Sequence, residues 1–300
     1  MDKIESKLIV NGILLVNKPE GLTSNALLQR VKHLFRAKKA GHTGSLDPLA
    51  TGMLPICFGE ATKFCQYLLD ADKTYEARGL LGIKTDTADA LGEIIETCTS
   101  FNVTKADLEN ALDGFKGTIS QTPSMFSALK HKGKPLYKYA RDGITIERNA
   151  REITIHELEL TAFDGKYFDI KVSCSKGTYI RNLVEDIGNI LGTGAHVTKL
   201  HRTSTAGFAG DLMYSLADLE NKSLDELNHC LEPMERAVSY LPQLNLKDYE
   251  ILTLRQGKML NLTVENKLEG LIRLYDEREQ FMGLGELKSS GHLVVKRLLA

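Results

Sequence analysis

The chain has 300 residues, 42% of them apolar, enough for one large domain and a smaller one with a substantial core. Its net charge of −1 lacks the basic excess common in nucleic-acid binders, and no apolar run approaches the roughly 18 residues of a membrane span. The N-terminus, MDKIESK, lacks the basic-then-apolar pattern of a secretory signal, so a cytoplasmic, membrane-free protein is expected. Five widely spaced cysteines, never as C-x-x-C, argue against a disulfide framework or a zinc site and read as buried thiols.

In chain order, residues 12–17 (GILLVN) predict a strand, ended by the turn Lys18-Pro19-Glu20-Gly21. A helix follows, capped by Thr23 or Ser24, with Leu27, Leu28, Val31, Leu34 and Phe35 at helical spacing. In residues 41–52, GHTGSLDPLATG, a single carboxylate, Asp47, sits among Gly41, Gly44 and Gly52, and Pro48 biases it towards extended backbone. Such a loop could hold a nucleophile; its composition is equally that of an ordinary surface turn.

Residues 60–69 predict a helix, and 73–81 a strand with Tyr75 near its start. A helix over 104–115 opens with a capping box, Thr104-x-x-Asp107. Residues 121–150 show little periodicity, as in a functional insertion or a disordered segment. From Lys130 to Arg151 there are seven Lys/Arg against two acids, interleaved with Tyr137 and Tyr139, a mixture suited to phosphates and exposed bases. A strand over 170–174 and a turn over 175–178 lead into a helix burying Ile180, Leu183, Val184, Ile187, Ile190 and Leu191, with Tyr179 and Arg181 flanking the stripe.

An acidic stretch, 215–250, reads as a solvated face and ends near Leu241-Pro242, where a boundary is expected. Strands over 271–275, 281–287 and 292–298 then form a small β module. Since the apolar elements of the main core precede it, a chain ending near Leu241 is expected to fold alone. Asp86, Asp89 and Glu93 do not fit calcium-loop spacing, and His156-x-x-Glu159 reads as a solvated strand edge.

The loop around Asp47 closely resembles the G-H-x-G-T-L-D-P-x-A-T-G-x-L signature of the TruB family of tRNA pseudouridine synthases, with Ser45 at a position often Thr. The likeness continues in KPEGLTS (18–24), GEATK (59–63), Tyr75 and SKGTYIRNLVEDIG (175–188), in the family's order over most of residues 12–205. Phe126 stands where the family commonly has Tyr, and His201 replaces a frequent Arg. The resemblance implies an α+β pseudouridine synthase fold with a mixed, largely antiparallel central sheet. It implies a catalytic domain over 1–242 with a thumb at about 121–150, and a PUA-like RNA-binding module over 243–300.

It further implies isomerisation of the T-loop uridine, nucleotide 55 in tRNA numbering, without cofactor or metal. Asp47 is then the nucleophile, attacking the sugar C1′ or the base C6. Arg181 is its ionic partner, and Tyr75 acts in catalysis and in binding the base. His42, Tyr179 and Leu200 contact the flipped substrate, and Lys18 supports the site. The expected partner is the tRNA T-stem-loop, with no obligatory protein partner and a monomeric state. Two alternatives share the motifs: a guide-RNA-dependent synthase, and a non-catalytic RNA-binding or tRNA-folding protein.

Overall fold

The computed structural model describes residues 6–205, 207–262 and 269–299. Its centre is an eight-stranded sheet built from Gly12–Lys18 (β1), Ala40–His42 (β2), Thr51–Phe58 (β3), Lys73–Leu81 (β4), Gly117–Gln121 (β5), Arg151–Phe163 (β6), Tyr167–Cys174 (β7) and Ala195–Thr205 (β8). The order is β1-β3-β8-β4-β7-β6-β5, with β2 added beside β3. Every pair is antiparallel except β3 with β8, so the sheet is mixed and largely antiparallel, as expected.

The helices Ser24–Leu34 (α1), Lys105–Asp113 (α2) and Ile180–Ile190 (α3) pack on one face, where Leu27, Val31, Leu108, Leu112, Leu183 and Ile187 meet the inward residues of the strands. Thr23 caps α1, its hydroxyl accepting from the Ala26 amide at 3.1 Å, and Thr104 and Asp107 form the expected capping box of α2. The predicted helix over 60–69 is instead a 3₁₀ turn, Gly59–Phe64, followed by a short helix, Cys65–Asp70.

Residues 121–150 are more regular than expected. Lys130–His131 pairs with Lys134–Pro135 in a minimal hairpin, and the helix Leu136–Arg141 follows, anchored by buried Leu136. The sequence also conceals β3. All but its first residue are buried, so it shows no alternation, and Gly52 and Pro55 read as breakers.

Strands within residues 243–261 and 270–298 build a second, five-stranded sheet with its own core of Leu246, Ile251, Leu254, Ile272, Leu274, Leu287 and Leu293. This module is not self-contained. Leu284 is fully buried among Ile13, Leu15, Met53 and Phe64 of the main domain, Phe281 packs on Phe64 at 5.4 Å between ring centres, and Lys63 Nζ donates to the Leu298 carbonyl at 3.0 Å. Ending the chain near Leu241 would uncover this seam, at about 1.5–3 kcal/mol for each large apolar side chain returned to water. A chain ending near Leu241 is therefore expected to be less stable than the whole protein, which thermal melting of the truncated chain checks.

Candidate active site

Asp47 lies in the loop joining β2 to β3, and the segment 18–24 braces that loop through its backbone. Lys18 is fully buried and its Nζ donates to the Pro19 and Pro48 carbonyls at 2.8 and 3.3 Å. The Gly21 amide donates to Pro48 O at 2.8 Å. Ser24 Oγ accepts from the Leu46 amide at 2.8 Å and donates to its carbonyl at 3.1 Å. The loop's far end is pressed onto β8: Gly52 has φ +97°, and a side-chain carbon there would stand 2.3 Å from the Arg202 carbonyl, so only glycine fits.

The loop therefore offers the Asp47 carboxylate, 39% exposed, to Arg181, whose side chain is only 5% exposed. Arg181 Nε meets Asp47 Oδ2 at 2.9 Å; its Nη1 donates to the Thr87 carbonyl at 2.8 Å and its Nη2 to the Phe126 carbonyl at 2.9 Å. A second carboxylate, Asp89, stands 3.6 Å from Nη1. Asp89 is nearly buried and oriented by the Thr87 hydroxyl at 2.8 Å and the Leu91 amide at 3.0 Å. The rigid guanidinium fork thus ties together the Asp47 loop, the hairpin of Ile83–Thr85 with Ile94–Thr97, and the insertion after β5. Burial pushes the Asp47 carboxyl above the usual range and Asp89 adds to that, while Arg181 and Lys18 oppose it. Burial in turn lowers Lys18 to about 8, against the pull of Asp47 and Glu20.

Asp47 opens into a pocket of about 270 Å³ whose walls include Tyr75, Phe126, Tyr179, Leu200 and Arg202. Ligand pockets span roughly 300–1,000 Å³, so this one sits at the small end of that range. Burial raises the phenols of Tyr75 and Tyr179, keeping both neutral, with Arg202 opposing the shift at Tyr75. Tyr179 is held by Gln121, whose side-chain oxygen accepts from the Tyr179 amide at 2.8 Å and whose nitrogen donates to its carbonyl at 3.1 Å. Arg202, 1% exposed, donates to the Met53 carbonyl at 2.7 Å and closes the pocket from β8.

Of the residues expected at the site, Asp47, Tyr75, Tyr179, Arg181 and Leu200 line this one pocket. Lys18 supports it from behind. His42 lies outside the lining, half-buried on β2, with its Nδ1 unpaired and its pKa lowered by burial and then by Arg202. His201 faces the adjoining groove along Glu76, Arg78, Asp169 and Lys171, where its Nδ1 pairs with Thr51 Oγ1 at 2.8 Å. Asp89, Gln121 and Arg202 were not singled out from the sequence as site residues. Arg202 directly follows His201, which is the nearest the sequence comes to a signal for it. Among the described residues, no cluster of His, Cys, Asp or Glu could hold a metal ion.

The Asp47–Arg181 pair and the two tyrosines of its pocket stand on a mixed, largely antiparallel sheet that known structures share. Solved chains of the same fold include one from a Cbf5-Nop10-Gar1 complex, 25% identical with a TM-score of 0.75 over 97% of this chain and 85% of that one. Another, from the archaeal box H/ACA sRNP Nop10-Cbf5 complex, is 25% identical with a TM-score of 0.71 over 97% and 86%.

Residues 32–180 match the TruB family pseudouridylate synthase N-terminal domain, 181–239 the tRNA pseudouridylate synthase B C-terminal domain, and 242–299 the pseudouridine synthase II TruB C-terminal domain. The tRNA pseudouridine synthase B of Legionella pneumophila strain Philadelphia 1 is 56% identical over all of this chain and 99% of its own length. That of Actinobacillus pleuropneumoniae is 49% identical over 97% and 96%. The chain belongs to the TruB family of pseudouridylate synthases, an isomerase family.

Proposed function

We propose that this chain converts the T-loop uridine of tRNA, nucleotide 55, to pseudouridine with Asp47 as nucleophile. The observation that carries the reading is the Asp47–Arg181 pair, 2.9 Å apart at the floor of a small pocket. The carboxylate attacks the sugar C1′ or the base C6; the N1–C1′ bond breaks, the uracil turns, and C5 bonds to C1′; the bond to Asp47 breaks to free the carboxylate, the C5 proton passes to solvent, and N1 takes one up. No net oxidation occurs, so the chain's own groups suffice in kind. Arg181 keeps the carboxylate ionised and aimed. Tyr75 and Tyr179 supply flat faces for the flipped base and hydroxyls near the reacting carbons, and Leu200 supplies an apolar contact.

The same reading gives residues 1–242 the chemistry and 243–300 an RNA-binding role, in a protein that works without an obligatory partner. Identity of 56% along the full length to a tRNA pseudouridine synthase B, against 25% to the Cbf5 chain, favours tRNA over guide-directed substrates. Pseudouridine mapping of unmodified tRNA incubated with the purified protein alone tests this. One new pseudouridine at nucleotide 55 is expected; none, or a different position, would overturn the reading.

The insertion after β5 is assigned the RNA grip. Lys130, Lys132, Lys138 and Arg141 are exposed, whereas Lys134 pairs with Asp142 at 2.5 Å and lies over the Tyr139 ring. Neutralising Lys130, Lys132 and Lys138 together is expected to weaken tRNA binding and flatten its log–log salt dependence by about 0.7–0.9 per lost phosphate contact. Lys134→Gln should change the slope least. Binding titrations across salt concentrations check both, and an unchanged slope in the triple variant would move the grip elsewhere.

A further inference from the structure

Two thiols behind the active-site loop meet each other without forming part of the pocket. Cys57, on β3, is fully buried, and Cys65, at the start of the helix Cys65–Asp70, is half-buried. Seven residues lie between them in sequence, among them the 3₁₀ turn Gly59–Phe64. Gly41 is what brings them together. It is directly opposite Cys57 in the β2–β3 ladder, so a side chain on Gly41 would stand on the same face beside that of Cys57. There is none, and Cys65 Sγ sits 3.8 Å from where its first carbon would be. Gly41 does not have positive φ, so its contribution here is room rather than unusual backbone.

We propose that Cys57 and Cys65 form a dithiol that a hydroperoxide converts to an intramolecular disulfide, with Cys65 as the attacking thiolate. With Cys65 Sγ beside the position opposite Cys57, the neighbouring thiol lowers the Cys65 pKa and raises that of Cys57. Desolvation opposes the shift at Cys65, and the Lys39 ammonium reinforces it. Cys65 is also the member of the pair that solvent reaches. The other thiols are placed differently: Cys98 donates to the Ser100 carbonyl at 3.6 Å, Cys230 to the Glu226 carbonyl at 3.3 Å, and burial pushes Cys174 up to about 11.

In the first step the Cys65 sulfur attacks one peroxide oxygen; the S–O bond forms, the O–O bond breaks, and hydroxide leaves to be protonated as water. The sulfenic acid that results is then attacked by Cys57. The S–S bond forms, the S–O bond breaks, and water leaves with the Cys57 proton. Two sulfurs are oxidised and one peroxide is reduced. The bond would fasten β3, beside the strand that carries His42 towards the Asp47 loop, to the helix behind it.

The test is mild hydrogen peroxide treatment of the native full-length protein, followed by thiol counting and peptide mass mapping. Five free thiols should fall to three, with a 57–65 cross-link that dithiothreitol reverses. Cys57→Ser should leave a sulfenic acid on Cys65 that dimedone captures, whereas Cys65→Ser should lose the reaction altogether. Circular dichroism of both variants, matched to the parent, shows that the fold is kept. Five thiols remaining after peroxide, a first dimedone adduct on Cys98, or an undiminished reaction in Cys65→Ser would each overturn the proposal.

Discussion

Asp47→Asn is expected to lower the single-turnover rate at saturating tRNA by about 10⁴–10⁶-fold, the range seen when an enzyme loses its nucleophile. The amide has nearly the carboxylate's shape, and the loop backbone is held by hydrogen bonds with the Lys18 and Ser24 side chains and the Gly21 amide that the substitution does not touch. Geometry therefore survives and only nucleophilicity is lost. Binding of tRNA, measured separately by filter retention, should change little. Substantial turnover in a preparation shown by mass spectrometry to be free of deamidation would remove Asp47 from the role.

The second large effect is expected at Arg181. Its guanidinium serves Asp47, Asp89 and the carbonyls of Thr87 and Phe126 at once, almost out of contact with water. An ammonium is a compact point charge on a flexible four-carbon stem and cannot occupy those directions together. Arg181→Lys should lower the chemical rate by about 10²–10³-fold, as for loss of one preorganised electrostatic contact. It should also lower the melting temperature, because a buried carbonyl left unpaired costs about 1–3 kcal/mol. Near-normal turnover would mean that Arg181 does not orient the nucleophile. A lost rate with unchanged stability would mean that its structural ties are dispensable.

What could be read in advance divides along physical lines. α1, α2 and α3 carry helical spacing, and the first two carry local capping signals, so each is legible from its own residues. β4 and the last three strands were legible too, being bounded by turns. β3 and β8 were not assigned. The first lacks alternation because it is enclosed, and the second is interrupted by two register shifts where it meets β4. At the site, the motif-bearing residues were legible through resemblance. Asp89 and Gln121 acquire meaning only where Arg181 and Tyr179 arrive beside them in space. Asp89 comes from a hairpin whose apolar residues Leu91, Ile94 and Ile95 face outward, which gave no sign of a functional turn. The cysteines divide likewise: Cys57, Cys174 and Cys230 are buried as expected, but Cys65 and Cys98 are not.

The seam of Phe64, Phe281 and Leu284 has a bearing on how a long RNA would be judged. Had a flexible tether joined the two sheets, the C-terminal module could trail after whatever RNA the pocket held and would add local concentration alone. A joint of close-packed apolar side chains permits no such hinge. The span from Asp47 to the outer strands of the module is then a set length, and with the RNA-binding role proposed for the module the protein would work as a caliper. An RNA that presents a loop to the pocket and a stem at the matching distance meets both jaws together; one with the same loop on a stem of another length meets only one.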